Sequence, residues 1–396
     1  MENTVQQARL TAPEPSVGFV QRMLICGYFL LSFFEPYLNG VLGALTKYYI
    51  LMLMGVLCLR HRRLRIRSFH WCFIGWLIYK IISILWTTNS TIPQMHMFSQ
   101  IGMVGLLFVL TAIPLDRKTI DSIVNTMWIG SAAIGVLSLF LSHPYHGIVL
   151  TRQVLYLFGQ EADPNNQAAF LLVGLTISLY NIIALKQHRI FSFATIVVNA
   201  YSLFMTGSRG GLVGLVCVGL VLLMTSAGMK GIGNKIKLLL AAAVIGIVFY
   251  YIANKFLPKD IFARLFEVSS YEGGSERDII WRNGWELLSS GLNFVFGAGW
   301  GAYFGYNGYY MAMHNTFLAM LCDVGILGCV LFFAPTFRTC WQMLRKKNYR
   351  SILLIICGFI PSFFIDAINK RIFWNVIFYL FIVSVNLVQE GIDDEY

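Results

Sequence analysis

Ala168-Ala169-Phe170-Leu171-Leu172-Val173-Gly174-Leu175-Thr176-Ile177-Ser178-Leu179 lies within an uncharged run that opens after Asp163 and closes at Lys186. At about 1.5 Å per helical residue, such a run covers the roughly 30 Å hydrocarbon core of a bilayer. Similar runs recur along almost the whole chain, about twelve in all, with centres near Cys26, Met52, Trp76, Gly105, Ile134, Val173, Ile196, Val216, Val244, Phe332, Ile356 and Ile377. Hydrophobic residues make up 57% of the sequence and charged residues only 12%, about half the share usual in globular domains. No run reads as a barrel strand, so each span must satisfy its backbone groups internally as a helix. The expected fold is an all-α polytopic transmembrane bundle in a lipid bilayer. A polar stretch precedes the first span and no small-residue cleavage site closes it, so that span is expected to be retained. All eight cysteines fall in or at the ends of apolar runs, which gives no disulfide framework and no metal spacing.

Basic residues fix the expected orientation, because short loops rich in Lys and Arg stay cytoplasmic. Arg60, Arg62, Arg63, Arg65 and Arg67 follow span two, Arg117 and Lys118 span four, Lys186 and Arg189 span six, and Lys230, Lys235 and Lys237 span eight. Arg338, Arg345, Lys346, Lys347 and Arg350 surround the connection after span ten, whereas residues 35–40 and 87–96 hold no Lys or Arg. Both termini are then cytoplasmic. The net charge of +11 follows from this topology and from attraction to an anionic leaflet; no soluble basic face is present for a nucleic acid. Left unexplained on the outer side are Arg152, Arg209, Arg264, Arg277 and Arg282.

Three outer connections carry the chemistry. The longest, residues 254–313, is too long for a simple turn and holds Ser269-Ser270-Tyr271-Glu272-Gly273-Gly274-Ser275-Glu276-Arg277, an amphipathic stretch at 278–288, Gly297-Ala298-Gly299-Trp300-Gly301 and tyrosines at 303–310. Trp281, Trp285, Trp300 and those tyrosines form either an interfacial belt or a platform for sugar rings. The loop re-enters the membrane at Met313-His314-Asn315-Thr316, an expensive place for an ionisable side chain unless it has a partner or a hydrated cavity. A carbonyl-held interfacial histidine is the alternative. Thr206-Gly207-Ser208-Arg209-Gly210-Gly211 sets one arginine among glycines at a helix start, where a guanidinium and free amides suit an anion; it reads equally as a tight turn with a snorkelling side chain. In Asp163-Pro164-Asn165-Asn166-Gln167, Asp163 can cap the following helix with Pro164 in its first turn. The amides that follow suggest a hydrated cavity.

Taken in order, the Asp163-Pro164-Asn165-Asn166 segment, Gly207-Ser208-Arg209-Gly210-Gly211, Ser275-Glu276-Arg277 with Trp281, Gly297-Ala298-Gly299, and His314-Asn315 with Gly325 beyond resemble the O-antigen ligases and the O-antigen or capsule polymerases. The resemblance covers about residues 159–328. It divides the chain into amino-terminal spans (1–158), a ligase-like core (159–342) with the outer loop, and carboxy-terminal spans with a short tail (343–396). It implies a C-type glycosyltransferase-like fold and a metal-independent enzyme without cofactor in the bacterial cytoplasmic membrane. Its partners would be a polyprenyl-diphosphate-linked oligosaccharide donor and a glycan or glycolipid acceptor, met on the outer face. Carried over by motif, His314 is the catalytic base and Arg209 and Arg277 bind the donor diphosphate, with Arg282 as second choice for the latter. Asp163, Asn165, Ser208 and Asn315 shape the site. Ligases of this kind carry a tyrosine shortly after the glycine that resembles Gly325. Here Ile326-Leu327-Gly328-Cys329 follows, which tilts the expectation toward a polymerase.

Other classes make different demands. A lipid-linked glycan flippase calls for ions at mid-membrane and paired repeats, whereas Lys47, Lys80, Asp366, Lys370 and Arg371 sit near span ends. A peptidoglycan-type polymerase calls for an outer-loop carboxylate, a place open to Glu276 or Asp278. A membrane protease lacks support: there is no His-Glu-x-x-His segment, and Ser208 has no partner histidine in sequence.

Overall fold

The computed structural model describes residues 17–43, 45–61, 64–145, 152–225, 253–266 and 276–387, with isolated positions between 233 and 251. The expectations for residues 1–16, Arg62, Arg63, Lys230, Lys235, Lys237, the Val244 span, Ser269 through Ser275 and residues 388–396 lie outside the described residues.

The chain folds as a helical bundle: α1 (Phe19–Leu42), α2 (Leu45–Arg60), α3 (Ser68–Ile82), α4 (Thr91–Ala112), α5 (Arg117–Leu141), α6 (Pro164–Tyr180), α7 (Arg189–Met205) and α8 (Arg209–Thr225), then three short helices, α9 (Lys259–Phe266), α10 (Arg277–Ser289) and α11 (Asn293–Phe296), and finally α12 (Thr316–Arg345), α13 (Tyr349–Phe359) and α14 (Arg371–Leu387). Eleven of the twelve expected span centres fall in these helices. Length and hydropathy together support six membrane crossings directly: α1, α3 with its extension to Trp86, α4, α5, α6 with its extension to Leu185, and α12. Helices α7, α8, α13 and α14 are apolar but shorter.

A small antiparallel sheet interrupts the all-α expectation, with β1 (Ser142–Pro144), β2 (Gln153–Leu157) and β3 (Gln160–Glu161) in the order β1-β2-β3. It is tied to the bundle by Gln167, whose side-chain oxygen accepts from the Leu155 amide at 2.9 Å. Helix α6 sits at the centre, buried along Pro164–Ser178 and packed on α5, α7, α8 and α13. Asp163 does cap it, accepting from the amides of Asn165 at 2.9 Å and Asn166 at 3.2 Å, with Pro164 in the first turn.

At one end of the bundle basic residues find partners, Arg22 with Asp116 at 3.1 Å and Arg350 with Asp121 at 3.1 Å, and the Leu115 amide donates to Asn386 Oδ1 at 2.9 Å. At the other end the long loop folds down onto residues 83–93. There Trp86 donates to Gly297 O at 3.2 Å, Asn89 to Phe304 O at 2.7 Å, and the Trp300 amide to Ser83 at 3.0 Å.

Helix α12 is broken at Gly325, where φ is +60° and ψ −170°. The Gly297–Gly301 turn, with φ of +81°, +99° and +83° at its glycines, lies against the break. The Ala298 amide donates to Cys322 O at 2.7 Å and the Gly301 amide to Asp323 Oδ1 at 2.8 Å. A Cβ on Gly297 would collide with the Asp323 carbonyl, and one on Gly325 with that of Val295. Two glycine motifs far apart in sequence are thus two sides of one backbone contact. Because left-handed strain and backbone overlap combine there, Gly325→Ala is expected to cost about 1–3 kcal/mol, read as a lower melting temperature of the detergent-purified protein.

Candidate functional site

His314 is the loop residue just before the Asn315 cap of α12, held in a left-handed conformation at φ +49°. Its neighbours fix it there. Trp281 donates its indole N–H to Met313 O at 3.0 Å, and Asn315 accepts from the amides of Phe317 and Leu318, each at 3.1 Å. The Thr316 hydroxyl donates to Ile365 O at 2.7 Å and accepts from the Ala367 amide at 2.6 Å. The imidazole is half-buried. Burial, then the nearby Arg277 guanidinium and more weakly Lys370, push its pKa below the usual 6.5, against Asp163 and Asp366, which pull it up. It is therefore held as the neutral base at neutral pH.

The turn before α8 packs beside it. Gly207 adopts φ +60° and lies against the side chains of Arg264 and Arg152. Ser208 donates to Asn165 Oδ1 at 2.9 Å and accepts from the Gly211 amide at 3.2 Å. A Cβ on Gly210 would press on the Phe364 ring at 2.7 Å, and one on Gly211 on Ala168 at 2.9 Å. These two glycines therefore serve helix packing, in addition to the anion approach expected for the segment.

Four arginines converge on this turn. Arg152 is buried and donates to Thr206 O at 2.6 Å and Asn165 Oδ1 at 3.1 Å. Arg264 donates to Gly207 O at 3.1 Å, while exposed Arg209 donates to Arg264 O at 2.7 Å. Arg277 donates to Phe364 O at 3.1 Å, and its Nε is buried without a hydrogen bond. Burial lowers the pKa of Arg152 to about 9, with Arg264 and Arg277 pushing the same way and Asp163 opposing. Arg277 is likewise lowered by burial, with Arg264 and Arg209 adding to it and Asp163 again the opposing carboxylate. Asp163, engaged as the cap of α6, is the carboxylate that acts on both Arg152 and Arg277. Four guanidiniums gathered on one turn suit an anion.

His314, Arg209, Arg277, Asp163, Asn165, Ser208 and Asn315 are thus brought to one place. Arg282 is exposed on α10, about 140° around the helix from Arg277 at 3.6 residues per turn. Arg152 and Arg264 were visible in sequence only as outer-side arginines that topology left over. Trp300 is fully buried, so it neither belts the membrane nor stacks on a sugar; it lies over Lys80, whose Nζ is 4.7 Å from its ring centroid. Trp285 is exposed. Among the described residues, no group of three or more His, Cys, Asp or Glu is placed to share a metal ion.

Residues 194–333 match the family described as O-antigen ligase. About a third of the chain is thus similar to O-antigen ligases. The O-antigen ligase match contains Arg209, Arg264, Arg277 and His314, whereas Arg152, Asp163 and Asn165 reach the same site from outside it. No curated protein matches the chain. The match lies within a chain that has six helices long and apolar enough to cross a membrane.

Proposed function

We propose that the protein transfers glycan from a polyprenyl-diphosphate donor to a sugar hydroxyl on the outer face of the membrane, without a metal ion. His314 takes the proton from the attacking hydroxyl as the new O–C1 bond forms. The C1–O bond to phosphate breaks on the opposite side, and the diphosphate leaves with the electron pair. Its growing charge is taken up by Arg277 and Arg209, with Arg152 and Arg264 behind them. Preorganised cations in a site of low dielectric suit that role, and a neutral histidine suits the proton transfer.

The observation that carries this reading is the juxtaposition of a base held neutral with four gathered arginines. Glu276 and Asp278, the acids a peptidoglycan-type mechanism would use, are both exposed at the start of α10. Acceptor choice leans to a polymerase because Ile326-Leu327-Gly328-Cys329 stands where a ligase-like tyrosine is expected.

The test is transfer by the purified protein from a polyprenyl-diphosphate oligosaccharide, with and without a glycolipid acceptor. A ladder from donor alone identifies a polymerase, and a single transfer that needs the glycolipid identifies a ligase. Arg277→Ala should reduce the rate about 10²- to 10³-fold, with Glu276→Gln and Asp278→Asn nearly unaffected. Turnover in neither condition, or loss with the acid variants but not with Arg277→Ala, would overturn the proposal.

A further inference from the structure

A cavity of about 460 Å³ adjoins Asp163, lined by parts of α1, α4, the first turn of α6 and residues 369–371. Its volume falls in the roughly 300–1,000 Å³ range of small-molecule sites, and none of the four clustered arginines lines it.

The acids in its wall are already engaged. Glu35 accepts from Arg371 Nε at 2.9 and 3.0 Å and lies 2.9 Å from its Nη2. The Glu161 carboxylate is 2.9 Å from His143 Nε2, and Asp163 accepts two backbone amides. The Lys47 and Lys370 ammoniums have no ion pair among the described residues, so in a wall whose three acids equal its three cations in number these two are the cations without a contacting carboxylate. Asn166, 4% exposed, lines the cavity with an Oδ1 that accepts no hydrogen bond. A buried carbonyl oxygen without a donor is a vacancy worth filling, and a sugar hydroxyl supplies the missing donor. Asp163 and Lys370 both line the cavity and both bear electrostatically on His314, so charge in the cavity acts on the candidate base.

We infer that this cavity is the acceptor subsite and selects a saccharide carrying an anionic group, a carboxylate or a phosphate held by Lys47 and Lys370, with a ring hydroxyl donating to Asn166 Oδ1. Its naming as the acceptor's place rests on the transferase reading; its charge preference stands apart from that reading.

Binding separates the two. Detergent-purified protein at low ionic strength, where exposed charges are least screened, is titrated with a glucuronate-terminated oligosaccharide, its carboxyl-reduced neutral analogue and a phosphate-bearing counterpart. The wild type should bind an acidic probe roughly tenfold more tightly than the neutral one, and whichever acid binds better identifies the anionic group. Lys47→Gln with Lys370→Gln should erase the preference while leaving neutral-probe affinity in place; Asn166→Ala should weaken both acidic and neutral probes. Equal binding of acidic and neutral probes by the wild type, or a preference that survives the double substitution, overturns the inference. A charge preference without transfer activity would keep the anionic site and defeat its naming as an acceptor subsite; transfer indifferent to acceptor charge would do the reverse.

Discussion

His314→Ala is expected to lower the turnover number by about 10²- to 10⁴-fold, the usual contribution of a positioned general base, while donor binding changes little. The expectation follows from placement. The histidine is fixed by bonds its neighbours make, the Trp281 indole to Met313 O and the Asn315 cap of α12, so truncating the imidazole leaves those bonds intact. The guanidiniums that would grip a diphosphate hang from other elements: Arg209 on α8, Arg264 on α9, Arg277 on α10, and Arg152 just before β2. Turnover and affinity should therefore separate. Direct binding of a labelled polyprenyl-diphosphate oligosaccharide, measured beside steady-state transfer, would show it, and a parallel loss of both would assign His314 to scaffolding instead.

Asp323→Ala should have the largest effect on stability, a loss of about 3–5 kcal/mol. The Asp323 carboxylate and the Lys80 ammonium are 3.1 Å apart, with side-chain exposures of 4% and 1%, and Lys80 lies between the rings of Trp76 and Trp300 at 5.4 and 4.7 Å. Removing the acid leaves an ammonium without a partner in an apolar enclosure and also removes the acceptor for the Gly301 amide. The turn would then lose its anchor on the broken helix α12. Replacing both charges, Lys80→Met with Asp323→Leu, should cost less than Asp323→Ala, because no uncompensated ion remains. Thermal melting of the detergent-purified variants distinguishes these outcomes. A double variant no better than the single would mean that the Gly301 bond, rather than the ion pair, carries the stability.

That ion pair marks the limit of what the sequence could reveal. Lys80 and Asp323 lie in helices far apart in the chain, and nothing local couples them. Local features were legible. The Asp163 cap and Pro164 turn depend on backbone groups only two or three residues away, and the helix at 277–289 follows from its own amphipathic pattern. Span centres were readable because hydropathy is local, but helix lengths were not, so several runs became helices too short to cross on length alone. The sheet at 142–161 went unforeseen because its strands are short and one is only two residues long. In the site, motif residues were found singly. Their gathering is tertiary: Arg152 and Arg264 join it through carbonyls of the Thr206–Gly207 turn that no sequence pattern announces. Likewise, the glycines at 297 and 325 were seen as separate motifs although they face each other.

The central claim, a neutral His314 acting as base beside a diphosphate-binding arginine cluster, is tested most directly by the pH dependence of kcat/KM for transfer from the polyprenyl-diphosphate donor. Because the histidine's pKa is lowered from 6.5, the base form persists through neutral pH and is lost only as pH falls through that lowered value. The wild type should therefore lose activity on an acid limb whose midpoint lies below 6.5 and reports the free enzyme. The residual rate of His314→Ala should lack that limb. A wild-type rate flat to low pH, or the same acid limb and an undiminished rate in His314→Ala, would contradict the account.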